Sequence, residues 1–300
     1  MDLAALLRHR RRLVGASRAR RGPPRLPQPA PPSGPIAAYT RELLDLVAAV
    51  QAAAVDVLHE EGLLPHDTAR ADAQGDVPRL PPHLPEQIPL PGVPMAQVNR
   101  VTKRVQQRVA KILRARPLVA SVQHVAELTQ RHSRAQWQRL VKESLGVDLP
   151  AAEPDLVPQI EAFRRENTGL IESLVSEQVD RVRDVLVDSG AGTRVEEIAK
   201  AIRESTDATR SRAALIARDQ VLKLNANVAQ ARHEAAGVTS YIWRTARDER
   251  VREDHRVLDG TRQRYAAPPI VDRRRGERAN PGEHYQCRCV AEPIIPGFDE

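Results

Sequence analysis

Apolar side chains recur every three or four residues over most of the chain, which is the spacing of the buried face of an α-helix. The first stripe predicts a helix from Ala37 to about His59, and it consists of Tyr39, Leu43, Leu46, Val47, Val50, Ala54, Val57 and Leu58. The second stripe comprises Val98, Val101, Val105, Val109 and Ile112. A third helix is predicted from about Leu118 to Leu145, with an apolar face of Val122, Val125, Leu128, Trp137 and Val141.

The same period continues through the second half of the chain. A helix from about Asp155 to Val187 is predicted to bury Leu156, Ile160, Phe163, Leu170, Leu174, Val175, Val179, Val182 and Leu186. Ser189 to Gly192 should end it. Thr193 is expected to cap a short helix, with Glu196 completing a capping box. A separate helix should run from Asp207 to about Ala236, where Gly237 stops it.

The pattern then changes to alternation, which is typical of a strand. Between Val238 and Thr245 it places Tyr241, Trp243 and Thr245 on one face. Asp248 is predicted to cap a helix that runs to about Leu258 and ends at Asp259-Gly260. The sequence therefore predicts an α+β protein that is mainly α-helical, with long helices, helical hairpins and a small α+β C-terminal module.

Two proline-rich segments, at residues 22–35 and 62–94, interrupt the helical pattern. Proline forbids regular helix, so these segments are predicted to be connections, and the second could lie along a partner protein. The predicted organisation is a basic, proline-rich arm (1–36), a helix with a proline-rich linker (37–94), a helical region (95–192) and a C-terminal domain (193–300).

Positive charge is concentrated at the N-terminus. The chain has a formal net charge of +7, and residues 1–36 alone hold eight arginines and one aspartate. Such an arm could contact DNA or an acidic protein, or it could be a solvated tail. The candidate contacts are Arg8, Arg10, Arg11, Arg12, Arg18, Arg20 and Arg21, with a second arginine cluster at Arg273, Arg274 and Arg275. The segment 261–280 around that cluster lacks periodicity and is expected to order only on assembly.

Membrane insertion and secretion are not predicted. The apolar run from Leu43 to Leu58 is short and contains Asp45 and Asp56, so it does not suit a bilayer. The first apolar residues precede the arginines, which is the reverse of a secretion signal. Two cysteines in 300 residues are consistent with a reducing cytoplasm.

Both cysteines belong to a Cys-Arg-Cys triplet, at Cys287 and Cys289. In an extended segment their thiols point the same way, and two thiols, the His255 imidazole and a carboxylate could converge. One interpretation is a zinc site of Cys287, Cys289 and His255 with His284 or Asp248 as the fourth ligand. In a second, the thiols and His255 are buried structural groups. The third is a catalytic Asp248/His255 pair in a nuclease or hydrolase.

The order Trp-Arg-Thr, Asp-x-x-Val-Arg-x-x-His-x-x-Leu-Asp-Gly, Pro-Gly-Glu, Cys-Arg-Cys resembles the C-terminal domain of tailed-phage minor head proteins. This is the Mu F-like head-morphogenesis group, which includes SPP1-type proteins. The resemblance covers roughly residues 194–295, including the helix Ala213–Asn225. Asp219-Gln220 departs from the family's usual Thr-Glu there. The motif core is Trp243, Asp248, Arg252, His255, Asp259, Gly260, Pro281, Gly282, Cys287 and Cys289.

The resemblance implies a structural, non-enzymatic minor head protein that is made in the host cytoplasm and lies inside the capsid near the portal vertex. The implied partners are the portal ring, capsid or scaffold proteins, and packaged DNA through the arginine arm, with no membrane in the assembled head. The alternatives are a metal-dependent nuclease and an injected effector. Only eleven residues follow Cys289, which leaves no expected effector after the module.

Overall fold

The computed structural model describes residues 29–64, 92–116, 118–145, 154–190 and 193–295. The candidate DNA contacts from Arg8 to Arg21 and most of the second proline-rich segment lie outside these residues. In the described part the chain is mainly helical, and its strands all belong to the C-terminal region, as the predicted fold class requires.

Within the described residues, five long helices precede the strands: α1 (Ser33–Glu60), α2 (Met95–Ala115), α3 (Leu118–Leu145), α4 (Val157–Asp188) and α5 (Val195–Ala235). The predicted α1 stripe is buried throughout. Its helix begins before Ala37 because Pro35 is tolerated in a first turn, where its missing N–H needs no partner. Most of the predicted apolar positions of α2 to α4 are buried as well. The exceptions, which are half-buried, are Ile112, Leu128, Ile160 and Leu170. Among the described helices, none is long and apolar enough to cross a lipid bilayer.

The predicted break in front of Asp207 is wrong, because α5 is one helix of 41 residues. Neither glycine nor proline occurs between Val195 and Ala235. The hydroxyl groups of Ser205 and Thr206 donate to the carbonyl of Ile202, so these polar side chains bond within the helix instead of capping a new one. At its start, the Arg194 N–H donates to Glu197, which therefore takes the role predicted for Glu196.

The chain forms two compact units. The helical unit contains the described parts of 40–121 and 166–217, and the C-terminal unit contains those of 1–39, 122–165 and 218–300. In the helical unit, the buried Gln178 side chain donates to the Val47 carbonyl, and Arg104 pairs with Glu61 at 2.7 Å. These bonds connect α4 to α1 and α2 to the end of α1.

The C-terminal unit contains a three-stranded antiparallel sheet in the order β2-β1-β5, formed by β1 (Ser240–Arg244), β2 (Arg262–Arg264) and β5 (Val290–Pro293). A second antiparallel pair consists of β3 (Ile270–Asp272) and β4 (Glu277–Arg278). The predicted face of β1 is confirmed, since Tyr241, Trp243 and Thr245 are all buried.

The segment 261–280 contains three of these strands, so the prediction that it orders only on assembly is wrong. Strands of two or three residues are too short to show a period. The turn between β3 and β4 is held by the Asp272 carboxylate, which accepts the N–H groups of Arg274 and Arg275, and Gly276 has a φ of 68°.

The helix after β1 is also shorter than predicted. Only α6 (Glu253–Arg256) is helical, and Arg252 occupies its N-cap position. Asp248 therefore does not cap this helix. Instead, the Asp248 carboxylate accepts the N–H of Arg250 in a local turn, an alternative that aspartate offers the backbone readily.

The core of the C-terminal unit includes a contribution from α3. Trp137, Leu140 and Val141 belong to the same buried cluster as Tyr241 and Trp243 of β1, together with Val238, Tyr265, Val271, Cys287, Cys289 and Ile295. The ring centroids of Trp137 and His233 lie 5.0 Å apart. The sheet module therefore buries its apolar face partly against a helix from far earlier in the chain.

Candidate functional site

The centre of the site is a buried group of one imidazole and two thiols. His255, Cys287 and Cys289 are exposed by only 2%, 3% and 5%. The Nδ1 atom of His255 lies 3.5 Å from each of the two sulfur atoms. Both cysteines are free thiols, and all three ligand atoms lie within 4.8 Å of one another.

The local backbone arranges the Cys287 sulfur as an acceptor. The N–H groups of Gly282 and Cys289 both donate to it, each at 3.4 Å. The N–H of Cys287 itself bonds to the His284 carbonyl at 2.9 Å. Two backbone donors on one sulfur stabilise negative charge there.

Two further histidine contacts determine which nitrogen of His255 carries the proton. His255 Nε2 lies 3.3 Å from His284 Nδ1, and His284 Nε2 lies 3.2 Å from a Glu277 carboxylate oxygen. The Arg252 guanidinium, which can only donate, also lies 3.3 Å from His284 Nδ1. His284 Nδ1 therefore accepts, its Nε2–H bonds to Glu277, and His255 donates through Nε2. The lone pair of His255 Nδ1 is directed at the two sulfurs.

The two thiols have opposite acidities. The pKa of Cys287 is well below its ordinary value, chiefly because the Cys289 thiol hydrogen-bonds to its sulfur and outweighs the effect of burial. The pKa of Cys289 is raised, because its proton is shared with Cys287 and because burial disfavours its charge. The pair therefore favours a single thiolate centred on Cys287.

Trp243 packs against the other side of His255. Its ring meets the imidazole edge-on, with centroids 5.6 Å apart and an interplanar angle of 84°. The buried indole N–H makes no regular hydrogen bond. It lowers the pKa of Cys289, although Cys287 and burial together raise that pKa more. Trp243 thus supplies both an apolar wall and a polar N–H next to sulfur.

Asp259 and Gly260 maintain the turn that returns from α6 to the sheet. The Asp259 carboxylate accepts the Thr245 N–H at 2.9 Å and pairs with Arg247 at 3.3 Å. Gly260 has a φ of 78°, and its N–H donates to the Trp243 carbonyl at 2.8 Å. These two motif residues hold the backbone that carries Trp243.

Pro281 and Gly282 bring the cysteine loop against α5. Both are buried, and Gly282 has a φ of 90°. A Cβ on residue 282 would lie 2.6 Å from the Cβ of Ala226. Only glycine permits this close approach of loop and helix.

Asp219 is a site residue whose role the sequence did not reveal. Its buried carboxylate accepts the N–H of Gln286 at 2.5 Å and pairs with Lys223 at 3.0 Å. Arg218 donates twice to the Gln286 side chain, at 3.0 and 2.7 Å. Gln286 has a φ of 54°, so helix α5 holds the residue before Cys287 in an uncommon conformation. The departure from the family's usual residue at position 219 was the only signal in the sequence.

Asp248 is not part of the buried group. Its carboxylate is bound by both terminal nitrogens of Arg288, at 2.5 and 2.6 Å, and this pairing lowers the pKa of Asp248. Among the described residues, the ligand group that includes His255 contains only the two cysteines. The geometry therefore does not favour a catalytic Asp248/His255 pair. A second, more exposed group consists of Asp272, Glu277 and His284.

The arginine cluster at 273–275 lies on the exposed turn between β3 and β4. Arg273 pairs with Asp254 at 3.4 Å, and Arg275 lies 3.8 Å from Glu277. Part of this positive charge is thus balanced within the unit. Glu277 is shared between Arg275 and His284, so this end of the cluster borders the histidines of the cysteine site.

A cavity of about 400 Å³ lies next to the site within the C-terminal unit. Its lining includes Cys287 and Cys289, and also Trp137 of α3 and Tyr265. The cysteines are therefore buried themselves but border a partly open pocket.

Comparison with known proteins gives a family match in the C-terminal region. Residues 180–292 match the family described as "Phage Mu protein F like protein". A Haemophilus influenzae protein described as "Uncharacterized protein" is 36% identical over 164 residues, which are 53% of this chain and 35% of that relative. The chain thus spans about a third of the length of the relative. No solved structure matches. The matched segment contains α5, the cysteine site and all of the sheet except Pro293, so the similarity to this family lies in the C-terminal region of the chain.

Proposed function

We propose that this protein is a structural minor head protein of a tailed phage or phage-like particle and takes part in head morphogenesis. The match of residues 180–292 to the Mu F-like family supports this proposal most directly. In the finer form of the proposal, the protein lies inside the capsid near the portal vertex and supports packaging or delivery of DNA.

The roles of the motif residues agree with a structural function. Asp259, Gly260 and Gly282 hold backbone segments in place, and Arg252 orients His284. Asp248, the carboxylate of the nuclease alternative, is engaged by Arg288 at the surface. The residues that carry the family resemblance therefore maintain the fold of the module.

The first test is quantitative mass spectrometry of purified, nuclease-treated particles before and after triggered DNA release. We expect a few to a dozen copies per portal ring, which would establish the protein as a virion component. Loss of the protein on release would assign it to the ejected material, whereas presence only in assembly intermediates would assign it to assembly. Absence from both particles and intermediates would overturn the proposal.

Contact with packaged DNA is proposed for the arginine arm. Replacing Arg8, Arg10, Arg11, Arg12, Arg18, Arg20 and Arg21 by glutamine should weaken DNA binding and flatten its salt dependence, since each lost phosphate contact removes about 0.9 from the slope of log K against log salt. A separate variant that replaces Arg273, Arg274 and Arg275 tests the second candidate cluster in the same assay. An unchanged slope in the arm variant would exclude the arm as the DNA contact.

Portal contact has a separate test. The full chain should co-sediment with assembled portal rings, and the arm variant should still do so if the folded part makes the contact. Failure of the wild-type chain to bind portal rings under assembly conditions would exclude the portal as its direct partner. Head morphogenesis through shell or scaffold proteins would then be tested in the same assay.

A further inference from the structure

We infer that Cys287, Cys289 and His255 bind one zinc ion, through the two sulfur atoms and the Nδ1 atom of the imidazole. This inference goes beyond the role in head assembly and does not depend on it. The three ligand types are those that zinc prefers, and two cysteines with one histidine are a known zinc-binding set.

The distances between the donor atoms suit a tetrahedral ion. Zinc lies about 2.3 Å from a thiolate sulfur and about 2.0–2.1 Å from an imidazole nitrogen. With a tetrahedral angle between these bonds, sulfur and nitrogen are about 3.5 Å apart. In this protein both sulfur-to-Nδ1 distances are 3.5 Å. Both sulfur-to-nitrogen separations thus match those of a tetrahedral zinc site.

The surrounding hydrogen bonds supply a second, independent observation. A zinc-bound histidine usually donates its other N–H to a neighbour, which fixes the ring and leaves the ligating nitrogen unprotonated. His255 donates to His284, and His284 donates to Glu277. Arg252 fixes this direction because its guanidinium can only donate to His284 Nδ1. This relay leaves the Nδ1 lone pair of His255 directed at the sulfurs, where a cation would lie.

Donors also surround the sulfur atoms. The N–H groups of Gly282 and Cys289 donate to the Cys287 sulfur, and the buried Trp243 indole N–H has no regular acceptor. N–H donors stabilise anionic sulfur rather than a neutral thiol. A divalent cation balances the charge that this environment favours. Both cysteines border a partly open pocket, and a water molecule from this pocket is the proposed fourth ligand.

Metal analysis of the full chain provides the first measurement. The protein is purified without a histidine tag from cells grown with added zinc, and its metal content is determined by mass spectrometry. We expect about one zinc ion per chain. Cys287→Ser, Cys289→Ser and His255→Gln should each reduce the content severely. His124→Gln, which changes an exposed histidine on α3, is the matched control and should retain the metal.

A spectroscopic measurement avoids dependence on variants that fail to fold. The wild-type apoprotein is titrated with cobalt(II), and we expect thiolate-to-cobalt charge-transfer absorption together with the intense visible bands of a tetrahedral ion. Added zinc should abolish both signals. His284→Ala retains all three ligands but loses the relay, so it should weaken zinc binding about 10- to 100-fold in competition with a chromophoric chelator.

Two results would overturn the inference. One is wild-type protein that contains no zinc above the buffer background and shows no charge-transfer band with cobalt. The other is zinc content or cobalt absorption that persists unchanged in a folded Cys287→Ser/Cys289→Ser double variant, which would assign the metal to an adventitious surface site. Neither result bears on the particle measurement, so the two proposals can fail separately.

Discussion

Gly282 and Ala226 lie so close that a Cβ on residue 282 would stand 2.6 Å from the Cβ of Ala226. This contact places the turn before the cysteines directly on helix α5. It joins two segments that are 56 residues apart in sequence, and it explains why the Pro-Gly step precedes the Cys-Arg-Cys triplet.

Gly282→Ala is expected to destabilise the C-terminal unit by about 2–4 kcal/mol, since it adds both an overlap and a side chain at positive φ. Urea unfolding should show the loss. Ala226→Gly alone should cost about 1 kcal/mol as an interior helix glycine. The double variant should recover the steric part of the loss and retain the part due to φ. Full additivity of the two changes would contradict the proposed contact.

Asp219→Ala removes the acceptor of the Gln286 N–H and should cost about 1–3 kcal/mol, because a part-buried donor loses its charged partner. The cysteine loop should also open more often, so alkylation of Cys287 should accelerate. Asp219→Asn retains an acceptor oxygen and should show a smaller effect. An unchanged alkylation rate in Asp219→Ala would mean that this bond does not restrain the loop.

The buried His233 is expected to make the stability of the C-terminal unit sensitive to acid. Burial, assisted by the positive charge of Arg232, lowers its pKa to about 3, and its Nδ1 atom bonds to the Tyr265 hydroxyl at 2.6 Å. The unfolded chain, with a histidine pKa near 6.5, binds more protons between about pH 3 and 6.5. The contribution of neutral, buried His233 to the unfolding free energy is therefore fully present above about pH 6.5. It is lost progressively as the pH falls toward 3.

His233→Gln should flatten the dependence of the unfolding free energy on pH in that window, by up to about 1.4 kcal/mol per pH unit. Urea titrations at several pH values provide the measurement. His124→Gln should keep the wild-type slope, because that histidine is exposed. An identical slope for His233→Gln would show that His233 is not the acid-sensitive group.

Trp137 tests the dependence of the sheet module on α3. Trp137→Ala should cost roughly 3–5 kcal/mol, and a fragment of residues 193–300 should lack a cooperative unfolding transition because it omits Trp137, Leu140 and Val141. Val119→Ala changes an exposed residue of the same helix and should stay within about 0.5 kcal/mol of wild type. A cooperative, stable fragment would contradict this dependence.

Local patterns predicted those parts of the fold that local physics controls. The α1 stripe and the alternation of Tyr241, Trp243 and Thr245 were recognisable because burial follows the repeat of the backbone itself. The helix predicted from Asp248 failed because a single aspartate can satisfy a turn as well as a cap. The predicted helix break at Asp207 was wrong because the hydroxyl groups of Ser205 and Thr206 donate to a carbonyl within the same helix.

The sequence by itself determined the mainly helical class, the strand that begins the C-terminal module, and the parallel direction of the two thiols. Periodicity and close spacing contain this information, since both depend on residues a few positions apart. Tertiary structure alone decided that His255 meets those thiols, that Asp248 turns to Arg288, and that Asp219 restrains Gln286. These contacts join residues 32 to 67 positions apart, and only the packing of α3 and α5 against the sheet brings such distant side chains together.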